Sequence, residues 1–495
     1  MLMTAEERVR VETLSALARC NPFLPERKEH ERATLGDAFE DVSPVWSKHL
    51  DRENPNVVKI AARAEPLARS LKKRQSDGQK PTEEEHRLIE EVVFYLLYGR
   101  FEQAFERAMA QPDVTFYDDF VKAARDYLPS VSERALPHWF AFLFQVRRAS
   151  YHIFDFVVGK SLPAARLRGA IWQSIFTHDL RRYRRALFDK MGDVTTLITG
   201  PSGTGKEIVA QAIGLSRFIP FEPRQKRFEL EAGDSFFALN LSALAPTIIE
   251  SELFGHRRGA FTGALTDRKG WLALCPARGT VFLDEIGEVD PAIQVKLLRV
   301  LQTREFQPIG DTKTQTFAGK IVAATNRDLA TEMQSGRFRE DLYYRLCSDL
   351  ITTPSLREQL RDTPDDLHDL VRFIARRVVG KEESETVTKE VLEWIGSHLE
   401  RDYAWPGNVR ELEQCVRNIV IRKAYRPAAI GGETGSVVDL DRSELSAEEL
   451  LAQYCAVVYA RNGSYVETAR KLGLDRRTVK SKVEAFHRRR PSTTD

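Results

Sequence analysis

Cysteine is scarce in this 495-residue chain, with five residues, Cys20, Cys275, Cys347, Cys415 and Cys455, at scattered positions. That scatter offers no thiolate metal centre and asks for no oxidising compartment. An excess of one charge is lacking too. The 74 basic residues nearly balance the 72 acidic ones and leave a net charge of +2. Global charge therefore says nothing about nucleic acid, and any such contact must come from a local patch. No run is apolar enough for a membrane span. The most aromatic stretch, HWFAFLFQVRRASYHIFDFVVG, is broken by Arg147 and Arg148 and reads as protein core. The start, MLMTAEERVRVETL, is charged and amphipathic without a signal-peptide apolar segment, which implies the cytoplasm. With 42% hydrophobic and 29% charged residues the composition is that of a soluble protein, and the length suits about three domains.

What is present is a phosphate-binding pattern. Residues 195–199 are a short apolar run ending at Gly200, and PSGTGKE follows before the apolar-periodic segment 208–213. Strand, loop and helix are expected. The spacing from Gly200 through Pro201, Ser202, Gly203, Thr204 and Gly205 to Lys206 is that of a P-loop. In such a loop successive amides and a helix N-terminus cradle phosphate oxygens, and the lysine reaches the β and γ phosphates. Glu207 stands where a Ser or Thr usually serves magnesium. A second apolar run, 279–283, ends in Asp284 and Glu285. Alone, two acids beyond a strand are commonly a solvated turn. Downstream of a P-loop they read as a Walker B element, with Asp284 holding Mg²⁺ and Glu285 polarising the attacking water. A third strand, 320–324, leads to Thr325 and Asn326. Strands alternating with helical segments predict a parallel α/β sheet with its site at the strand C-termini.

One segment does work that no fold requires. In ESELFGHRRGAFTGA, 250–264, Gly259 and Gly263 permit sharp turns while Ala260 and Ala264 add little bulk. Phe261 and Thr262 then fall at the tip of a tight loop. Flanked by glycines and by Arg257 and Arg258, Phe261 is expected to point outward rather than into a core.

The hexapeptide GAFTGA resembles the loop with which sigma-54-dependent transcriptional activators, the bacterial enhancer-binding proteins, engage the sigma factor. Ordered motifs extend the resemblance over 159–424, roughly half the chain. It implies an AAA+ ATPase that takes ATP and Mg²⁺, in which a Glu at position 207 is usual and residues 259–264 contact sigma-54. Asn326 matches sensor I, and Asn240 matches a switch that holds the catalytic Glu in waiting, although either is also legible as an ordinary strand-end residue. Arg339 and Arg345, in GRFREDLYYRL, match arginines given to the nucleotide of a neighbouring subunit. Arg410, in WPGNVREL, matches sensor II on a helical lid. A homo-oligomeric ring, commonly hexameric, is implied. Departures are Pro201 and Arg257, where the family commonly has acidic residues, and two long segments. One, 219–236, is expected to be a surface loop or hairpin. The other, between Gly159 and the P-loop, is expected to reshape the adenine-side entrance.

At the C-terminal end, PAAIGGETGSVVDLD reads as a linker, followed by helices at 446–460, 464–472 and 476–486 with breaks at Asn462-Gly463 and Gly473. The last two resemble a Fis-type helix-turn-helix whose core uses Ala469, Leu472, Leu474 and Val479. Arg476, Arg477, Thr478, Lys480 and Lys482 are the candidate contacts to upstream DNA. At the other end, helical spacing at 84–110, 116–127 and 135–158 predicts a bundle, with no strands for a phosphorylatable receiver. Lys72, Lys73 and Arg74, with the polar stretch to Thr82, are expected in an exposed loop. His138 and His152 lack ligand spacing for a metal or haem.

The expected organisation is a helical regulatory region (1–158), an AAA+ α/β subdomain (159–355), a helical lid (356–425), a linker (426–445) and an all-α DNA-binding module (446–490). The leading functional expectation is an ATP-driven activator of sigma-54 RNA polymerase tethered to upstream DNA. The alternatives are a DNA-binding regulator with a degenerate ATPase, which intact Lys206, Asp284, Glu285, Arg339 and Arg345 disfavour, and an AAA+ remodeller of another client, which GAFTGA disfavours.

Overall fold

The computed structural model describes residues 2–41, 54–111, 113–229, 235–243, 245–427 and 447–488. Its centre is a five-stranded parallel sheet of β1 (Thr196–Thr199), β2 (Phe236–Asn240), β3 (Thr280–Asp284), β4 (Lys320–Thr325) and β5 (Asp349–Thr352). The spatial order is β5-β1-β4-β3-β2. Alternate residues of a strand face opposite ways, and both faces are covered. Leu197, Val281, Leu283, Ile321 and Ala323 join a core with helices Pro246–Phe254, Pro291–Thr303 and Glu340–Leu346. Ile198, Phe282, Val322, Ala324 and Ile351 belong to a second core, which runs without interruption into the N-terminal helices. The sequence expectation of a parallel α/β sheet holds. A small lid of helices Leu356–Asp362, Asp366–His398 and Asn408–Arg422 has its own core around Leu370, Val391, Trp405 and Leu412.

The N-terminal region is helical, as its periodicity predicts, with no strand among the described residues before Thr196. Its helices include Ala5–Arg19, Pro55–Ser76, Glu83–Ala110, Tyr117–Tyr127 and Ala135–Phe156. Thr4 with Glu7 and Thr82 with Glu85 form capping boxes that start the first and third of these. Of the loop expected over 72–82, residues 77–82 are loop, whereas Lys72–Arg74 are helical. Ile60, Ala64, Ala68 and Leu71 bury one continuous stripe, which carries the helix on to Ser76. Arg74 is held by Glu7 at 2.6 Å.

Both long segments dock on this bundle. Phe221–Glu222 and Arg227–Phe228 pair as an antiparallel hairpin, but its aromatic residues are no surface feature. Phe228 stacks on Phe144 at 4.2 Å, and Phe221 packs on Phe140 at 4.6 Å. In the other segment Arg181 binds Glu91 at 2.7 Å, and Arg184 binds Glu90 at 2.9 Å while lying 3.7 Å over the Phe94 ring. Its earlier helix, Leu162–Phe176, brings Leu167 to an apolar cleft beside the P-loop helix.

Residues Met1–Tyr425 form one compact unit and Arg426–Asp495 another. In the second, helices Ala447–Asn462, Tyr465–Leu472 and Arg476–Arg488 bury Cys455, Ala469, Val479 and Val483, with Leu472 and Leu474 packed against them. Gly473, at φ 63°, makes the turn between the last two helices. Apart from its first two residues, the expected linker lies outside the described residues, as does Ser446. No helix among the described residues is long and apolar enough to cross a membrane.

Candidate functional site

β1 runs straight into the P-loop, and helix Lys206–Gly214 starts at its end. Gly203 approaches the lid so closely that a Cβ would lie 2.3 Å from the Gly407 carbonyl. A side chain there would drive the lid away from the loop. Lys206 is buried, and its Nζ donates to the carbonyls of Gly200 and Pro201 at 3.1 Å each. Thr204 Oγ1 donates to Pro201 O at 2.9 Å, so Pro201 shapes the loop through its carbonyl. Glu207 is exposed in the helix's first turn.

Asp284 and Glu285 sit at the C-terminal end of β3, across from Lys206. Burial pushes the Asp284 carboxyl up, partly offset by the Glu285 amide and Lys206. Burial pushes Lys206 down, against the opposing pull of Glu285 and Asp284. Glu285 adopts a left-handed backbone (φ 55°, ψ 46°), a strained state for a residue with a side chain. Its Oε2 lies 3.4 Å from the donating amide of Asn326, at the end of β4. Asn240 ends β2 in register with Asp284. Its Oδ1 accepts from the amide and hydroxyl of Ser242 at 2.9 and 2.8 Å, an arrangement that matches the strand-end reading.

The lid closes over the loop from above. Arg410 donates from its amide to Gly203 O and from its guanidinium to Ser202 Oγ, at 3.3 Å each. Asn408 and Thr353, neither singled out from sequence, also grip this loop. Asn408 Nδ2 donates to Ser202 O at 2.9 Å, and the Thr353 and Thr204 hydroxyls lie 2.7 Å apart. The signal for Asn408 was its place in WPGNVREL, where the backbone turns through φ 52°. Beside the loop, Val157, Val158, Ile208, Leu370, Phe373 and Ile374 line an apolar cleft between the bundle's last helix, the P-loop helix and the lid.

Arg339 precedes the short helix Glu340–Leu346 and Arg345 lies in its last turn, away from these contacts. Arg339 pairs with Asp341 at 2.7 Å, and Arg345 is exposed with no ion pair among the described residues. The GAFTGA segment is a closed turn. Gly259 N donates to Ala264 O at 2.9 Å, and Gly259 and Gly263 have φ of 81° and 99°. Phe261 is 39% exposed against the His256 ring, Thr262 is exposed, and Ala264 is buried at the base. Ala260 packs on Gly310, and Arg257 ties the base down through Asp267 and Asp311, 2.7 Å to each. Leu265, overlooked in the sequence, is 81% exposed beside the tip.

In the C-terminal unit Arg476, Arg477 and Lys480 are exposed, and Thr478 is half-buried. Lys482 pairs with Glu448 at 2.7 Å and serves the helix packing. His138 contacts Arg184 O at 2.8 Å between Phe188 and Phe218, and burial pushes its pKa down. No metal-holding cluster of His, Cys, Asp or Glu occurs among the described residues.

Sheet order, P-loop, paired acids and lid together define a P-loop ATPase domain of the AAA+ type. The model of the sigma-54 interaction domain matches residues 176–352, and that of the AAA+ ATPase lid domain matches 361–428. The Nif-specific regulatory protein of Azotobacter vinelandii is 45% identical over 244 residues, covering 48% of this chain and 42% of that one. Transcriptional regulatory protein ZraR of Klebsiella oxytoca is 38% identical over 304 residues, 59% of this chain and 63% of that one. NtrX from Brucella abortus in complex with ADP aligns over 80% of this chain and 86% of its own with a TM-score of 0.41 and 22% identity. Through its central half, the chain belongs to the sigma-54-dependent activators. It spans less than two thirds of the length of these two curated relatives, 42% and 63%.

Proposed function

We propose that the chain is an ATP-driven activator that hydrolyses ATP between subunits of a ring and uses residues 259–264 to remodel sigma-54 RNA polymerase bound at a promoter. The observation that carries this reading is the convergence of Lys206, Asp284, Glu285 and Asn326 at one end of the sheet, in a chain that also holds an exposed GAFTGA tip.

The loop amides of 202–205, Pro201 having none, and Lys206 bind the phosphates, and the apolar cleft takes the base. Asp284 fits Mg²⁺, since that ion needs only one or two carboxylates when phosphate oxygens and waters complete its shell. When bound, it neutralises phosphate charge. Glu285 orients the water, with Asn326 against its carboxylate. For Asn240 to hold Glu285, its side chain must leave Ser242. Arg410 reads the nucleotide from the lid. Arg339 and Arg345 serve a neighbouring subunit, which requires Arg339 to release Asp341. Arg476, Arg477, Thr478 and Lys480 hold upstream DNA, in a cytoplasmic protein; for Lys482, contact with DNA competes with Glu448. A hexamer is the ring size the family resemblance supports.

The test is open-complex formation by sigma-54 holoenzyme on a sigma-54 promoter. Opening that needs this protein and hydrolysable ATP supports the reading. Opening with a non-hydrolysable analogue, or none with ATP on any promoter to which the protein binds, contradicts it.

A further inference from the structure

The two neighbouring arginines of helix Ala135–Phe156 are both buried, 2% exposed each, yet they serve different masters. Arg147 stays within the N-terminal bundle, bound to Glu102 at 2.8 Å and Glu106 at 2.7 Å. Arg148 has no carboxylate partner among the described residues. Its guanidinium donates to the carbonyls of Leu215 and Arg217, the latter at 3.1 Å. Gln145, one turn earlier, donates to the carbonyl of Ser216 at 2.9 Å and exchanges hydrogen bonds with Tyr183.

Residues 215–217 are the exit of helix Lys206–Gly214, whose other end carries the P-loop lysine. A cation at a helix C-terminus meets the negative end of the dipole and satisfies carbonyls that have no partner within the helix. The burial is costly: it pushes the Arg148 guanidinium down to about 10. The network then continues. The Arg217 side chain donates to the carbonyls of Ala277, at 3.2 Å, and of Gly279, directly before β3. β3 ends at Asp284. The far ends of the two elements that bear Lys206 and Asp284 are thus held from one helix of the N-terminal region.

We propose that Arg148, with Gln145, is a positioning residue of the nucleotide site, through which the N-terminal region sets the placement of the P-loop helix and of β3. The proposal rests on the nucleotide reading above. A helix of nine residues transmits displacement at one end to the other because its backbone ladder is stiff. The N-terminal region is then part of the ATPase rather than a detachable neighbour.

Arg147 supplies the matched control: same helix, same burial, no contact with residues 215–217. In the full-length protein, Arg148→Met and Gln145→Leu should each weaken Mg·ATP binding by roughly three- to thirtyfold. Arg147→Met should lower thermal stability and leave affinity near wild type. Independently of any nucleotide, Arg148→Met should raise amide hydrogen exchange in 206–217 and 279–284, whereas Arg147→Met should raise it in 102–106. If Arg148→Met fails to fold, Gln145→Leu and Arg148→Lys carry the test. Equal loss of affinity in Arg147→Met overturns the proposal, as does wild-type affinity and exchange in Gln145→Leu and the Arg148 variants. A wild type that binds ATP no better than Lys206→Ala, with the exchange pattern as expected, would remove the nucleotide reading while leaving the mechanical coupling in place.

Discussion

Asn408 of the lid donates its side-chain amide to the main-chain carbonyl of Ser202 in the P-loop, 2.9 Å away. Its Oδ1 accepts from the Leu356 amide, also at 2.9 Å, so a single buried side chain joins the phosphate loop, the start of the lid and the turn at 405–408. Replacing it by Ala leaves the buried Leu356 amide unpartnered, at about 1–3 kcal/mol, and frees the Ser202 carbonyl of the exposed loop. Asn408→Ala is expected to cut ATP turnover by roughly tenfold or more and to change KM as well, since the lid both binds and closes. Asn408→Asp keeps the acceptor and loses the donor to Ser202. It should be defective in turnover yet thermally closer to wild type than Asn408→Ala, and steady-state kinetics beside thermal melts decide this.

Lys206 and Glu285 have separate tasks. Lys206→Ala should abolish productive ATP binding, whereas Glu285→Gln should bind ATP and fail to hydrolyse it, because the carboxylate orients water more than it holds phosphate. Equilibrium binding and turnover measured on both variants check the assignment, and an equal loss of affinity would undo it.

Donation of Arg339 and Arg345 across a subunit boundary has its own signature. Arg345→Ala should lower turnover by about 10³-fold or more while ATP still binds. Mixed with Lys206→Ala subunits, it should regain part of the activity, since each subunit supplies what the other lacks. Absence of rescue in rings shown by mass spectrometry to be mixed argues against a shared site.

Lys320, at the start of β4, donates to Val194 O at 2.6 Å, and burial pushes its ammonium down to about 7 from an ordinary 10.5. The unfolded lysine therefore holds a proton that the folded one lacks between these two values, and the fold gains stability as pH rises through that window. At pH below about 7 both forms are charged and the penalty of burial is felt in full. Lys320→Met should raise the thermal midpoint most near pH 6 to 7, with the gain shrinking toward about pH 10. A gain that is constant with pH contradicts the assignment.

The P-loop, the paired acids and the GAFTGA turn were legible in the sequence because short-range spacing dictates them: glycines where φ is positive, and acids at the end of an apolar strand. The helix-turn-helix core was legible for the same reason, with Ala469 and Val479 buried as their spacing requires. What escaped depends on partners distant along the chain. Nothing near Phe221 or Phe228 says that Phe140 and Phe144 await them, so the hairpin read as surface. Lys482 read as a DNA contact because its partner Glu448 lies in another helix. Lys72–Arg74 read as a loop because their charges outweighed a buried stripe that began at Ile60. Asn240 was ambiguous, and Ser242 takes its side chain.

The most direct test of the account compares wild type with Thr262→Ala for ATP turnover, retention of sigma-54 and open-complex formation. Thr262 is exposed at the tip of a turn whose base is pinned by Arg257, Asp267 and Asp311, so its loss should leave the fold intact. The account expects Thr262→Ala to keep most ATPase activity and to lose promoter opening. Wild type should retain sigma-54 most strongly when a γ-phosphate mimic occupies the site, because work requires affinities that differ between nucleotide states. Promoter opening by Thr262→Ala at the wild-type rate, or equal retention of sigma-54 by wild type in every nucleotide state, would contradict it.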